Sequence, residues 1–117
     1  MKSHKDLDVW KAAVELAEKI YELTCAYPKS EQFGMTSQIR RSSVSIPSNI
    51  AEGAARQGNK EFVQYLHYSL GSAAEIETQL EISRRVKLCN AESFQNLDAA
   101  LTNVRHMLRG LIRSLKA

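Results

Sequence analysis

Apolar residues in this chain recur every three or four positions along four stretches, and short polar segments separate the stretches. That period is the mark of helices buried along one face. The first helix is expected from about Asp8 to Ala26. It carries two adjacent seams, Trp10, Val14, Ala17, Tyr21 and Thr24 beside Val9, Ala13, Leu16, Ile20 and Leu23. Together they are broader than one bundle core needs: either the helix is deeply buried or one seam meets another subunit. Val9, Ala13, Leu16, Ile20 and Leu23 are the candidate oligomer interface. Pro28 ends this helix, and the segment to Gly34 reads as a connector.

The second helix has Thr36 as its candidate N-cap and runs to about Gly53. Its seam is Ile39, Ser42 or Ser43, Ile46, Ile50 and Gly53. Pro47 lies well inside and would cost about 3 kcal/mol in a regular helix, so packing on neighbours must hold the helix through it. Gly53, Gly58 and Asn59 supply the next turn, with Asn59 a candidate cap. The third helix, Lys60 to Leu88, spans roughly 40–45 Å. Phe62, Leu66, Ser69, Ala73, Ile76, Leu80 and Ser83 alternate steps of four and three, which implies left-handed packing on its neighbours. Its middle is thin, and Gly71 is expected to mark a close backbone approach by the Ser42–Ser45 stretch. On that expectation Gly71→Leu should destabilise strongly. After a turn at Asn90 or Ala91, the fourth helix runs to Leu115 on Phe94, Leu97, Leu101, Val104, Leu108, Leu111 and Leu115. Four such helices with short connectors give an all-α, antiparallel up-down-up-down four-helix bundle, a single domain over residues 1–117.

Composition agrees with that reading and narrows the function classes. In 117 residues there are only two prolines and five glycines, which leaves little room for a turn-rich β protein. No run of 18 apolar residues exists, so a membrane span is not expected, and the start leads into an amphipathic segment rather than an apolar signal core. A cytoplasmic location follows as the expectation, with Cys25 and Cys89 reduced; they are far apart and lack CxxC spacing.

The segments Gln38-Ile39-Arg40-Arg41 and Ser45-Ile46-Pro47-Ser48-Asn49-Ile50-Ala51-Glu52-Gly53 add a resemblance. So do Asp6-Leu7-Asp8-Val9-Trp10-Lys11-Ala12-Ala13, Lys60-Glu61-Phe62, and Leu70-Gly71-Ser72-Ala73-Ala74-Glu75-Ile76-Glu77-Thr78-Gln79-Leu80. Between Asp6 and Leu88 the chain resembles the bacterial four-helix-bundle family first noticed as proteins encoded in intervening sequences of 23S ribosomal RNA genes. The resemblance implies a ring-like homopentamer, which favours a subunit contact for one seam of the first helix, allows a start of the second helix nearer Ser30, and carries no established enzymatic activity. A second likeness, of general pattern only, is to the accessory subunit of diversity-generating retroelements. That protein is a small basic bundle which forms a pentamer and binds nucleic acid and a reverse transcriptase. It implies RNA or a reverse-transcriptase-like protein as possible partners.

Catalytic and metal chemistry find little support. None of His4, His67 and His106 has a Glu three residues before it, as a di-metal bundle site requires, and GxSxG, P-loop and GxGxxG motifs are missing. No cofactor, metal or catalytic residue is assigned. Asn49 and Glu52 are expected to hydrogen-bond across helices or cap the next one. The net charge is +3, and its distribution is the more telling fact: from Thr102 onward there is no acidic residue. Arg105, Arg109, Arg113 and Lys116 step along one face of the fourth helix. Arg40, Arg41, Arg84, Arg85 and Lys87 complete the candidate nucleic-acid-binding set. The leading expectation is a non-enzymatic, ring-forming RNA-binding or assembly module. The alternative is a protein-interaction scaffold that binds no nucleic acid.

Overall fold

The computed structural model describes residues 3–117. Its helices are α1 (Asp8–Thr24), α2 (Met35–Ala54), α3 (Asn59–Arg85) and α4 (Ala91–Lys116), with 3₁₀ turns at His4–Asp6 and Lys29–Glu31. Each helix packs on its two neighbours, α1 on α2, α2 on α3, α3 on α4 and α4 back on α1. The molecule is 43 Å long and about half that across. This is the all-α up-down-up-down bundle that the periodicity implies.

Every member of the α3 seam, from Phe62 to Ser83, is buried. On α4, Leu97, Leu101, Val104, Leu108 and Ile112 are buried, while Phe94, Leu111 and Leu115 pack partly against the core. A strict seven-residue register picks Leu111; a straight helix of 3.6 residues per turn drifts away from it and brings Ile112 inward instead.

The helix ends differ from expectation for local reasons. Gly34, not Thr36, stands at the N-cap of α2, and the Glu31 carboxylate accepts from the Met35 amide at 3.1 Å. Gly58 precedes α3, and the side chain of Asn59 instead donates to the Leu115 carbonyl at 3.3 Å. Asn90, one of the two residues expected at the last turn, is the N-cap of α4 and accepts from the Ser93 amide at 2.8 Å. The last turn of α3 closes through Leu88 N to Ser83 O at 2.8 Å and Lys87 N to Arg84 O at 3.2 Å. Lys87 takes the left-handed conformation there, with φ 64°, a place usually held by glycine.

α2 runs unbroken through Pro47, which is buried. α3 supports this stretch. Ser69 Oγ donates to the Ile46 carbonyl at 2.9 Å, and Ser72 Oγ lies 2.8 Å from Ser45 Oγ. The close approach is real, but its glycine is Gly53. A Cβ there would lie 2.7 Å from Tyr65 Cβ and 3.0 Å from a Phe62 ring carbon. Gly71 is exposed, and a Cβ there would meet nothing within 4 Å, which overturns the expectation for Gly71→Leu. Asn49 and Glu52 also act locally. Asn49 donates to the Ser45 carbonyl at 2.9 Å within α2, and Glu52 accepts from Arg56 at 3.0 Å.

Candidate functional site

The α1 seam assigned to a subunit interface needs correction. Val9, Ala13, Leu16 and Ile20 are at most 4 % exposed within a single protomer, and Leu23 packs partly against the same core. These residues close the bundle on its own helices and are not free to meet a partner. The other seam is mixed, with Val14 and Tyr21 exposed, Trp10 and Ala17 half-buried and Thr24 buried, and Val44 is exposed on α2. Two seams on one helix show that surplus apolar surface exists, but period alone does not say which seam faces inward.

The candidate cations divide into tied and untied groups. Arg40 is a strut between α2 and α1. Its Nε donates to Thr24 Oγ1 at 2.8 Å, an Nη reaches the Tyr21 carbonyl at 3.4 Å, and its guanidinium lies 4.5 Å over the Tyr21 ring. It ties the C-terminal end of α1 to α2, adding a donor to Thr24 Oγ1 and a further one to the Tyr21 carbonyl, which also accepts from the Cys25 amide at 3.1 Å. Arg105 pairs with Glu77 of α3 at 2.8 Å, and its side chain is only 19 % exposed. Arg84 and Arg85 both grip Glu81, and Arg84 also covers the Phe94 ring at 5.4 Å. Hydrogen bonds from Arg84 and then Arg85 hold the Glu81 carboxyl down at about 2. Arg41, Lys87, Arg109, Arg113 and Lys116 are exposed with no acidic partner among the described residues.

The geometry therefore does not merge the basic residues into one patch. Arg109, Arg113 and Lys116 occupy the C-terminal turns of α4, near the start of α3, where Asn59 bonds Leu115. Arg84, Arg85 and Lys87 lie at the opposite end, where Arg84 meets Phe94. An antiparallel α3–α4 pair forces that separation.

Other polar clusters are structural. Arg56 donates to Tyr65 Oη at 2.6 Å and to Glu52, while Tyr65 stacks edge-on against Tyr68 at 5.3 Å. Sequence reasoning missed this cluster, although Tyr65 is what presses on Gly53. Tyr27 plugs the far end of the bundle, and burial raises its phenol above the ordinary value. Burial likewise pushes the Cys89 thiol up, so neither group is poised as a nucleophile at neutral pH. Among the described residues no group of His, Cys, Asp and Glu could hold a metal ion, and no helix is long and apolar enough to cross a membrane.

Fold and surface together define a small up-down-up-down helical bundle with cations displayed at both ends. Residues 5–110 match the family model described as 23S rRNA-intervening sequence protein, and the chain belongs to that family. A crystal structure from Bacteroides thetaiotaomicron VPI-5482, described as a protein with unknown function from the S23 ribosomal protein family, is similar throughout. It is 28% identical with a TM-score of 0.80, covering 89% of this chain and 97% of that one. No significant match is found among curated proteins.

Proposed function

We propose that this protein is a non-enzymatic assembly module that binds RNA through the C-terminal turns of α4. One observation carries the reading: Arg109, Arg113 and Lys116 stand exposed at steps of four and three, in a segment with no carboxylate side chain to neutralise them. Three untied cations along roughly 10 Å of helix suit the spacing of a phosphate backbone, and oligomerisation would multiply a weak contact. Recognition is of backbone rather than sequence, because no aromatic side chain lies among these cations to stack on bases.

Filter retention of labelled RNA tests the reading. Arg109→Glu, Arg113→Glu and Lys116→Glu combined should abolish salt-sensitive retention while leaving the circular-dichroism melt unchanged. Retention that survives the triple change, or never occurs, removes the RNA role.

The second reading is a protein scaffold without nucleic acid. It is favoured by the tying of Arg40, Arg84, Arg85 and Arg105 inside the protomer, together with exposed Val14, Tyr21 and Val44. In that reading copies associate through the exposed apolar residues of α1, as the family resemblance to homopentamers suggests. Light scattering that gives a mass near five protomers would support a ring; a monomer at high concentration would remove it.

A further inference from the structure

A surface groove between the C-terminal half of α3 and the first turns of α4 has a volume of about 490 Å³ and is lined by side chains from Glu77 to Arg85 and by Phe94 and Asp98. The span from Glu77 to Arg85 on α3 makes it roughly 12 Å long, about two helical turns. Its floor is apolar. Ile82 is 44% exposed, and Phe94 is half-buried with the Arg84 guanidinium over its ring. Its rim is acidic: Glu77, Glu81 and Asp98 face a single lining guanidinium, Arg85, in a protein whose net charge is positive. Glu77 and Glu81 already hold Arg105, Arg84 and Arg85. Asp98, half-buried, has no ion-pair partner among the described residues.

We propose that this groove docks a basic amphipathic helix of a partner protein, with an apolar side chain seated on Ile82 and Phe94 and a Lys or Arg paired to Asp98. Glu77 and Glu81 are held by guanidiniums, so Asp98 carries the unpaired negative charge of the groove and disfavours a phosphate beside it. An exposed aliphatic and aromatic floor beside unpaired negative charge fits the apolar and cationic faces of such a helix. The pairs at Glu81 are surface pairs that reorganise at little cost, so a further partner cation can share that carboxylate. This site is separate from the α4 cations of the RNA reading, which lie at the other end of that helix, and it stands whether or not RNA binds.

The test uses the full-length protein and two fluorescein-labelled model helices of identical apolar pattern, one Lys/Leu and one Glu/Leu, read by fluorescence anisotropy. The Lys/Leu helix should bind and the Glu/Leu helix should not. Asp98→Lys and Ile82→Glu should each weaken binding by about tenfold or more, while Glu18→Lys, the same charge reversal at an exposed position of α1, leaves it unchanged. If Ile82→Glu alters the melt, Asp98→Asn decides and should lower affinity without changing the fold. Equal binding by wild type, Asp98→Asn and Asp98→Lys would overturn the proposal. So would a fall in oligomer mass on Ile82→Glu, which would make the groove a contact between copies of this chain.

Discussion

The α2–α3 and α1–α4 interfaces sit on opposite sides of one bundle and are built in opposite ways. Between α2 and α3, small side chains bring the backbones together: Gly53 lies under Tyr65, and serines bond across at Ser69–Ile46 and Ser72–Ser45. Between α1 and α4, aliphatic side chains hold the helices apart, with Leu16 and Ile20 among those of α1 and Leu101 and Leu108 among those of α4. Clefts open at both ends of that second seam. One of about 540 Å³ runs between Leu23 and Leu97, and one of about 290 Å³ between Val9 and Leu111. Close approach excludes a binding surface, whereas bulky spacers leave one. The grooves described above accordingly flank α4.

Substitutions can sharpen or break that contrast. The largest effect is expected at the aliphatic seam, where Leu16→Ala should lower unfolding free energy in urea by about 2–5 kcal/mol. Gly53→Ala should follow with about 1–3 kcal/mol, because the new methyl meets Tyr65 Cβ, part of a packed helix, with little freedom to yield. A neutral Gly53→Ala would show that the α2–α3 contact is looser than its geometry. Gly71→Ala, on the outer face of the same helix pair, should instead raise stability by about 0.5–1 kcal/mol, since a helix gains a better former and meets no obstacle. The smallest effect concerns Glu81. Its folded-state value, lowered to about 2, lies below that of the unfolded chain, so its contribution is present above the ordinary carboxylate range and fades as pH falls toward 2. Tm should fall as pH falls through that window, and Glu81→Gln should remove part of this dependence. The pair is exposed, so the change is small.

The four helices could be read from the sequence because large apolar residues repeat with the helical period, and burial follows that period along nearly all of α3. What could not be read depends on partners far away in sequence. Gly53 and Gly71 are the same residue type in two helices, and only the position of Tyr65 distinguishes the packed one from the open one. Likewise the cations of α4 form one stripe in sequence, yet Arg105 is withdrawn from it by Glu77, a residue of another helix. Arg40 gave no sign of being a strut, since its ligands are a threonine hydroxyl and a carbonyl rather than a carboxylate. Lys87 looked like a binding cation but also forms the left-handed stop of α3, a place where sequence reasoning expects glycine.

Pro47 has a consequence for how much of this molecule can stand alone. Lacking an amide hydrogen, it leaves the ladder of α2 one rung short beside the point where Ser69 grips Ile46. A synthetic peptide spanning Met35 to Ala54 would have that gap and none of the grip, so it should be largely coil in water. The second helix is in this sense a guest of the third, and what is inherited as one segment of sequence keeps its shape only in company.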